Sequence, residues 1–297
     1  MGKKGKKAQA GKPKKLTPKD IGKRLDVLAK KLEEETKGVD LFAPLPPTED
    51  CAICLVPMSR FISEIRYLLC CGNFICKACA IEHEDSIKKQ NEENTSKKVA
   101  YACPFCRELY PKFGFDEQYL YRLQARYLKD DHMALAHMGD IYESGEYGTP
   151  KDDLKALDCW IRAVELGSAL ACVNIGLSYR EGNGVAIDKE RFALFDRIGA
   201  LRGDICARND IGVTEYESGN YEVGIRHWKI AAKAGHQRSL DFLRRLYNAD
   251  GKVPGKEFIS KECMDSLYRV CHDAQEEVKS EEREKHCNHL DSANMKS

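Results

Sequence analysis

Cysteine spacing constrains this chain more than any other feature. Eight of its fourteen cysteines lie between residues 51 and 106, and three pairs of them have two residues between the partners. A Cys-x2-Cys pair places two thiolates on one tight turn, which is half of a tetrahedral zinc site. The eight residues are Cys51, Cys54, Cys70, Cys71, Cys76, Cys79, Cys103 and Cys106. The three Cys-x2-Cys pairs and the adjacent Cys70 and Cys71 make four half-sites, which predict two structural zinc ions.

A disulfide framework is the alternative use of so many cysteines, and it is common in small secreted domains. The sequence favours zinc, because it begins with a lysine run that no apolar leader segment follows. We therefore expect a cytoplasmic or nuclear protein whose thiols stay reduced. We expect no membrane partner, since no stretch approaches the ~20 apolar residues that span a bilayer.

The chain divides by composition into a basic tail, a cysteine-rich segment and a repetitive segment. Residues 1–16 contain seven lysines and no acid, and we predict that they are disordered. This tail could be a nuclear address, a nucleic-acid contact or simply a solvated segment. It has no aromatic residue for base stacking, so we expect any nucleic-acid binding to be weak, non-specific and sensitive to salt.

A helix start follows the tail. Thr17 is a suitable N-cap, Pro18 suits the first helical position, and leucines then recur at helical spacing. The predicted boundaries are a short helix and proline-rich linker at 17–47, a zinc domain at 48–110, a connecting helix at 111–130, repeats at 131–255 and a charged helix and tail at 256–297.

One pattern recurs along the second half of the chain. Ala134-x3-Met138-Gly139 is repeated as Ala171-x3-Ile175-Gly176 and as Ala207-x3-Ile211-Gly212, with a weaker copy from Ser239. The copies follow one another at intervals of 37, 36 and 32 residues. Repeats of this length predict an all-α solenoid of helical hairpins, here at 131–167, 168–203, 204–235 and a degenerate 236–255. A glycine inside a helix costs about 1 kcal/mol relative to alanine. We therefore predict that each of these glycines allows its paired helix to approach closely.

The cysteine-rich segment resembles the eight-cysteine variant of the RING finger. The resemblance implies a cross-brace, in which Cys51, Cys54, Cys76 and Cys79 hold one zinc and Cys70, Cys71, Cys103 and Cys106 hold the other. Cys71 is followed by glycine and stands five positions before Cys76, as in that variant. One spacer residue is more usual between the third and fourth cysteines, so the ligand set of the second site stays open. His83 is a spare candidate ligand, although a position on a helix surface is the preferred interpretation.

Resemblance to RING fingers implies a ubiquitin ligase that binds a ubiquitin-loaded conjugating enzyme and forms no covalent intermediate. The positions that contact the conjugating enzyme and ubiquitin in that family correspond here to Ile53, Pro104 and Arg107. The tryptophan often found four residues after the sixth cysteine is replaced by His83. A closed four-cysteine zinc site has no open coordination position, so we expect the metal not to be catalytic. No Ser-His-Asp set, paired carboxylates or phosphate loop stands out, and we therefore expect no catalytic side chain. The alternative is a non-catalytic, zinc-stabilised scaffold.

The repeats resemble Sel1-like repeats, which are relatives of the tetratricopeptide family. That resemblance implies a concave surface for protein partners or substrates. The arrangement of a RING-like segment followed directly by Sel1-like repeats also resembles that of proteins abundant in diatoms and related algae. The cysteines outside the zinc segment are expected to be small core residues, namely Cys159, Cys172, Cys206, Cys263, Cys271 and Cys287.

Overall fold

The structure is a computed structural model that describes residues 16–93, 99–110 and 115–276. Its described part contains one two-stranded hairpin, and the other regular elements are helical. The basic tail, apart from Leu16, and Cys287 lie outside the described residues. The strands are β1 (Ile65–Tyr67) and β2 (Phe74–Cys76). The helices are α1 (Pro18–Thr36), α2 (Lys77–Glu93), α3 (Phe115–Tyr127), α4 (His132–Ser144), α5 (Asp153–Glu165), α6 (Ala169–Glu181), α7 (Lys189–Leu201), α8 (Ile205–Glu217), α9 (Tyr221–Lys233), α10 (Gln237–Asn248) and α11 (Lys261–Glu276).

Helix α1 begins where the sequence predicts. The hydroxyl of Thr17 accepts a hydrogen bond from the backbone N–H of Asp20 at 3.2 Å, and Pro18 follows at the first helical position. Its apolar stripe is buried at Ile21, Leu25, Leu28, Ala29 and Leu32. The stripe packs against the repeats, in a core shared with α4 to α7. Helix α1 precedes the zinc domain in the sequence, but in the structure it packs as part of the solenoid.

Helices α4 to α9 form three hairpins, which pair α4 with α5, α6 with α7 and α8 with α9. Short polar side chains begin most of these helices by accepting backbone N–H groups of the first turn. The residues that do so are Asp131, Asp152, Ser168, Asp188 and Asp204. Helices α4 and α6 end at left-handed glycines, Gly145 and Gly182, where a side chain would be strained. Local sequence therefore sets the hairpin boundaries.

The predicted close crossing at the repeated glycines is confirmed. A Cβ atom on Gly139 would lie 2.2 Å from Nε1 of Trp160, and one on Gly212 would lie 2.6 Å from the Trp228 ring. At Gly176 the approach is looser, since the nearest atom is a carboxylate oxygen of the paired helix at 3.3 Å. In the first and third hairpins, the missing side chain makes room for a tryptophan.

The end of the solenoid is covered by α10 and α11. Met264, Leu267 and Cys271 of α11 are buried in a core with Trp228 and Leu243. The charged C-terminal helix of the prediction therefore has an apolar face that closes the stack. No helix in the described part of the chain is both long and apolar enough to cross a membrane.

Core packing is confirmed for three of the cysteines outside the zinc segment. Cys159, Cys172 and Cys271 are buried. The same prediction is wrong for Cys206, which is exposed in the first turn of α8. Its neighbours Ile205 and Ala207 are buried instead, because the helix turns position 206 away from the core. Partly buried Cys263 packs at the edge of the α11 core.

Candidate metal centre

The first cysteine pair lies on a tight backbone turn. The N–H of Cys51 donates to the carbonyl of Val56 at 2.9 Å, and the N–H of Leu55 donates to the carbonyl of Cys51 at 2.9 Å. Leu55 has a φ of 58°, in the left-handed region that residues with a side chain rarely adopt. The turn brings Cys51 and Cys54 together on one side of the backbone.

The last cysteine pair repeats the same turn. The N–H of Cys103 donates to the carbonyl of Glu108 at 2.9 Å, and the N–H of Arg107 donates to the carbonyl of Cys103 at 3.1 Å. Arg107 has a φ of 61° and is structurally equivalent to Leu55. Strain of this kind persists where the surrounding structure requires it. Two unrelated stretches of sequence thus adopt one cysteine-presenting turn.

The other four cysteines lie on and beside the hairpin. In the antiparallel pairing of β1 and β2, Ile65 lies opposite Cys76, which ends the second strand. Cys79 follows in the first turn of α2. The hairpin loop contains the adjacent Cys70 and Cys71, and the N–H of Cys71 donates to the carbonyl of Leu68 at 3.1 Å.

The sulfurs gather into two groups of four. One group is Cys51, Cys54, Cys76 and Cys79, and the other is Cys70, Cys71, Cys103 and Cys106. Within each group all four Sγ atoms lie within 4.8 Å of one another. These are the same two sets that the cross-brace implies, including the adjacent pair.

The sulfur spacing fits a zinc ion. Four thiolates at about 2.3 Å from a tetrahedral zinc ion are separated from each other by about 3.8 Å. The Sγ atoms of Cys54 and Cys76 are 3.9 Å apart, and those of Cys71 and Cys103 are 3.8 Å apart. Each group could therefore hold one metal ion. All the described cysteines are free thiols, so the disulfide alternative has no counterpart in this structure.

The two groups differ in burial. Every cysteine of the first group is buried, whereas Cys70 and Cys71 are half-buried and Cys106 is exposed. Without metal, hydrogen bonds from the Cys76 and Cys79 thiols lower the pKa of Cys51. Burial raises the pKa of Cys70. A bound zinc ion would replace these thiol protons, so metal affinity should fall as the pH falls.

The three positions assigned to conjugating-enzyme and ubiquitin contact lie on the two cysteine turns. Ile53 and Pro104, each inside a Cys-x2-Cys pair, are half-buried. Arg107 directly follows the last cysteine and is exposed. His83 belongs to neither sulfur group: its Nε2 lies 2.8 Å from the carbonyl oxygen of Ala102. It thereby joins α2 to the second cysteine turn.

A contact that the sequence did not reveal joins the hairpin loop to the repeats. Arg126 of α3 pairs with Asp131, the N-cap of α4, through Nε at 3.0 Å. A Cβ on Gly72, beside Cys71, would overlap the Arg126 guanidinium. The glycine after Cys71 is the one sequence signal of this contact. The second sulfur group is therefore held close to the first repeat.

Family comparison finds the Sel1 repeat in this chain, at residues 132–168, 169–195 and 209–236. The second half of the protein carries Sel1 repeats. The predicted fourth, degenerate copy is outside the matched ranges. No RING family model matches the chain.

A curated relative is chitin synthase regulatory factor 4 of Schizosaccharomyces pombe, which is 28% identical over 116 residues. The match covers 39% of this chain and 18% of the relative. Among solved structures, a Sel1 repeat protein from Oxalobacter formigenes is 26% identical, with a TM-score of 0.45, over 54% of this chain and 65% of that one. The protective antigen c5321 of uropathogenic Escherichia coli is 23% identical, with a TM-score of 0.42, over 52% of this chain and 33% of that one.

Proposed function

We propose that this protein is a zinc-binding ubiquitin ligase of the RING type. Its cysteine-rich segment would recruit a ubiquitin-loaded conjugating enzyme, and its Sel1 repeats would bind a protein substrate or complex. The observation that carries the proposal is the interleaving of the two sulfur groups, with Ile53, Pro104 and Arg107 at the matching positions on the two turns.

Zinc would be structural in this scheme. Four sulfurs surround each position, which leaves no coordination site for a substrate or a reactive water. The metal would hold the two turns and the hairpin in one arrangement. The chain's own contribution to ubiquitin transfer would then be a binding surface.

The exposed side chain of Arg107 supports this role. In the described part of the chain, no carboxylate forms an ion pair with Arg107, so its donors are open to a partner. A planar guanidinium with five N–H donors can bridge two protein surfaces at once. Ile53 and Pro104 retain exposed apolar surface for the conjugating enzyme.

One observation favours the alternative of a zinc-stabilised scaffold without ligase activity. The position where many active RING fingers carry a tryptophan is His83, which is polar and hydrogen-bonded to a backbone carbonyl. An imidazole offers a conjugating enzyme less apolar area than an indole. The scaffold would use the repeats alone.

Ubiquitin discharge from loaded conjugating enzymes distinguishes the two functions. In a single-turnover assay with free lysine as acceptor, the full-length protein should accelerate discharge by at least one member of an enzyme panel. Arg107→Ala should lower that acceleration at least tenfold, about 1.4 kcal/mol of transition-state binding. The matched control is Arg66→Ala, an exposed arginine on β1 of the same module.

Equal rates for the Arg107 and Arg66 variants would remove the role assigned to Arg107. No acceleration by the unmodified protein across the panel, with zinc still bound, would leave the scaffold as the function.

A further inference from the structure

The proline-rich segment after α1 lies on the repeats. The carbonyl of Thr36 accepts a hydrogen bond from the Arg197 guanidinium at 3.3 Å. The carbonyl of Leu41 accepts one from the Arg208 guanidinium. The segment that connects α1 to the zinc domain therefore crosses the second and third hairpins.

Phe42 is the anchor of this segment. The guanidinium carbon of Arg226 lies 3.7 Å from the centre of the Phe42 ring. The ring of His227 is centred 4.9 Å from it. We call the site formed by Arg208, Arg226 and His227, together with the ring that fills it, the Phe42 pocket.

Polar groups in the Phe42 pocket are poorly satisfied by this occupant. His227 is fully buried, and neither of its ring nitrogens has a hydrogen-bond partner among the described residues. Arg208 is 1% exposed, and its Nε is likewise unpaired. Buried polar atoms without partners destabilise a structure, so the pocket has unused capacity for hydrogen bonds.

The positive charge of the pocket is only partly compensated. Within the described ranges, no carboxylate forms an ion pair with Arg208 or Arg226. Burial lowers the pKa of Arg208, and the nearby carboxylate of Asp40 opposes that effect. Asp40 stands two residues before Phe42 and accepts its backbone N–H at 2.9 Å. The present occupant of the pocket is therefore an aromatic residue, Phe42, with an acidic residue two positions before it.

The segment that holds Phe42 in place is attached by a few separate contacts, namely the Phe42 ring and hydrogen bonds to the carbonyls of Leu41 and Pro46. Residues 37–47 form no helix or strand: a turn closed by the hydrogen bond from the Ala43 N–H to the Asp40 carbonyl is followed by Pro44, Pro46 and Pro47. Segments with few backbone hydrogen bonds and partial exposure open at the lowest free energies in a protein. Displacement of Phe42 should leave α1 and its buried stripe in place.

We propose that the Phe42 pocket is the peptide-binding site of the Sel1 repeats and that residues 40–42 occupy it as a built-in ligand. The partner is a protein with a turn-forming peptide, like residues 40–43 with their hydrogen bond from the Ala43 N–H to the Asp40 carbonyl, in which a carboxylate precedes an aromatic side chain by two residues. Such a peptide displaces Phe42 and places its own carboxylate beside Arg208, as Asp40 is placed now. This inference names the partner class of the proposed function and in that respect rests on it.

Binding of a synthetic peptide tests the pocket directly. The probe is a fluorescently labelled peptide of residues 38–47, added to the full-length protein and followed by anisotropy. In the unmodified protein the tethered copy competes at an effective concentration of about a millimolar, so the probe should bind weakly. In Phe42→Ala the tethered copy loses its anchor, and the probe should bind at least tenfold more tightly.

The matched control is Val39→Ala, an exposed residue of the same segment, which should bind the probe like the unmodified protein. Adding Arg226→Glu to Phe42→Ala should abolish the gain. A probe with Asn for Asp, or with Ala for Phe, should bind at least tenfold more weakly than the original.

The proposal is overturned if Phe42→Ala and Val39→Ala bind the probe equally or if neither binds it. It is also overturned if the altered probes bind as tightly as the original. Should Phe42→Ala fail to give a native thermal melt, Pro44→Gly loosens the segment, keeps every pocket residue and is subject to the same outcomes. The assay contains no ubiquitin, so its result and that of the discharge assay can differ independently.

Discussion

At the scale of single residues, Gly139 and Gly212 decide how closely the paired helices of the first and third hairpins approach. Gly139 faces Trp160, whose Nε1 donates to the carbonyl of Ala136 at 3.2 Å and to Asp140 at 3.1 Å. Gly139→Ala would force the indole away from both acceptors. We expect a loss of about 1 to 3 kcal/mol in the free energy of unfolding, as for other overpacked sites.

Gly22 in α1 provides the control for that substitution. No atom lies within 4 Å of a Cβ placed there, so Gly22→Ala should stabilise the protein by about 0.5 to 1 kcal/mol through helix propensity. Urea denaturation followed by circular dichroism measures both variants. Equal effects of the two substitutions would show that helix propensity, and not contact with Trp160, determines the effect of a side chain at position 139.

Asp196 predicts a pH dependence of stability. Burial raises the pKa of this carboxyl group to about 7, with a further contribution from Asp210. The folded state therefore retains its proton where the unfolded chain has lost it. The resulting stabilisation is complete below about pH 4 and is lost as the pH rises through 7.

In urea denaturation between pH 4 and 8, Asp196→Asn should lose stability less steeply with rising pH than the unmodified protein. Parallel curves for the two proteins would mean that Asp196 ionises normally in the folded state.

The structural roles of single residues could be predicted best where the spacing in the sequence fixes the geometry. The cysteine pairs and the repeated glycines were identified because a turn or a helix crossing requires them at those intervals. Cys206 was misassigned because residue type indicates burial only on average, whereas helix phase decides it at one position. The contact of His83 with Ala102 depends on how α2 meets the second cysteine turn, which the sequence does not encode locally.

At the scale of elements, α1 shows the difference between predicting a helix and predicting its partner. The Thr17 cap and the leucine spacing specify the helix and its apolar face. An apolar face indicates that something covers it, but many surfaces could do so. Hairpin β1–β2 was not predicted, since strands of three residues are too short to show an alternating pattern.

The packing of α1 can be tested with two neighbouring residues. Leu25 is fully buried against the repeats, whereas Val27 is 69% exposed on the same helix. Leu25→Ala should destabilise the repeats by about 2 to 5 kcal/mol, because it leaves a cavity in their core. Val27→Ala should change stability by less than about 0.5 kcal/mol. Thermal melts with similar losses for both variants would place α1 outside the solenoid core.

At the scale of the whole molecule, the cysteine-rich module rests on the solenoid at several points. The rings of Tyr67 and His137 meet edge to face at 6.2 Å, and those of Phe61 and His236 stack at 6.4 Å. Leu69 also packs at the edge of the core that contains Met138 and Ile141. The buried residues of the cysteine-rich segment otherwise form a core of their own. The module and the repeats should therefore unfold separately.

Zinc removal is the test of that separation. Structural zinc contributes about 10 to 16 kcal/mol of apparent binding free energy in small zinc domains, and residues 51–106 have few other core residues. A chelator should unfold that segment and leave the repeats folded. The helical circular dichroism signal should therefore persist in large part, and its loss in a single step would contradict independent folding.

Native mass spectrometry of the full-length protein, purified under reducing conditions with zinc, is the most direct test of the two-zinc module. We predict a mass that includes two zinc ions, and one ion in a Cys51→Ser, Cys54→Ser double variant that retains the second sulfur group. A metal-free chain, or a mass lowered by the hydrogens lost in disulfide formation, would contradict the module and the proposed ubiquitin-ligase function that depends on it.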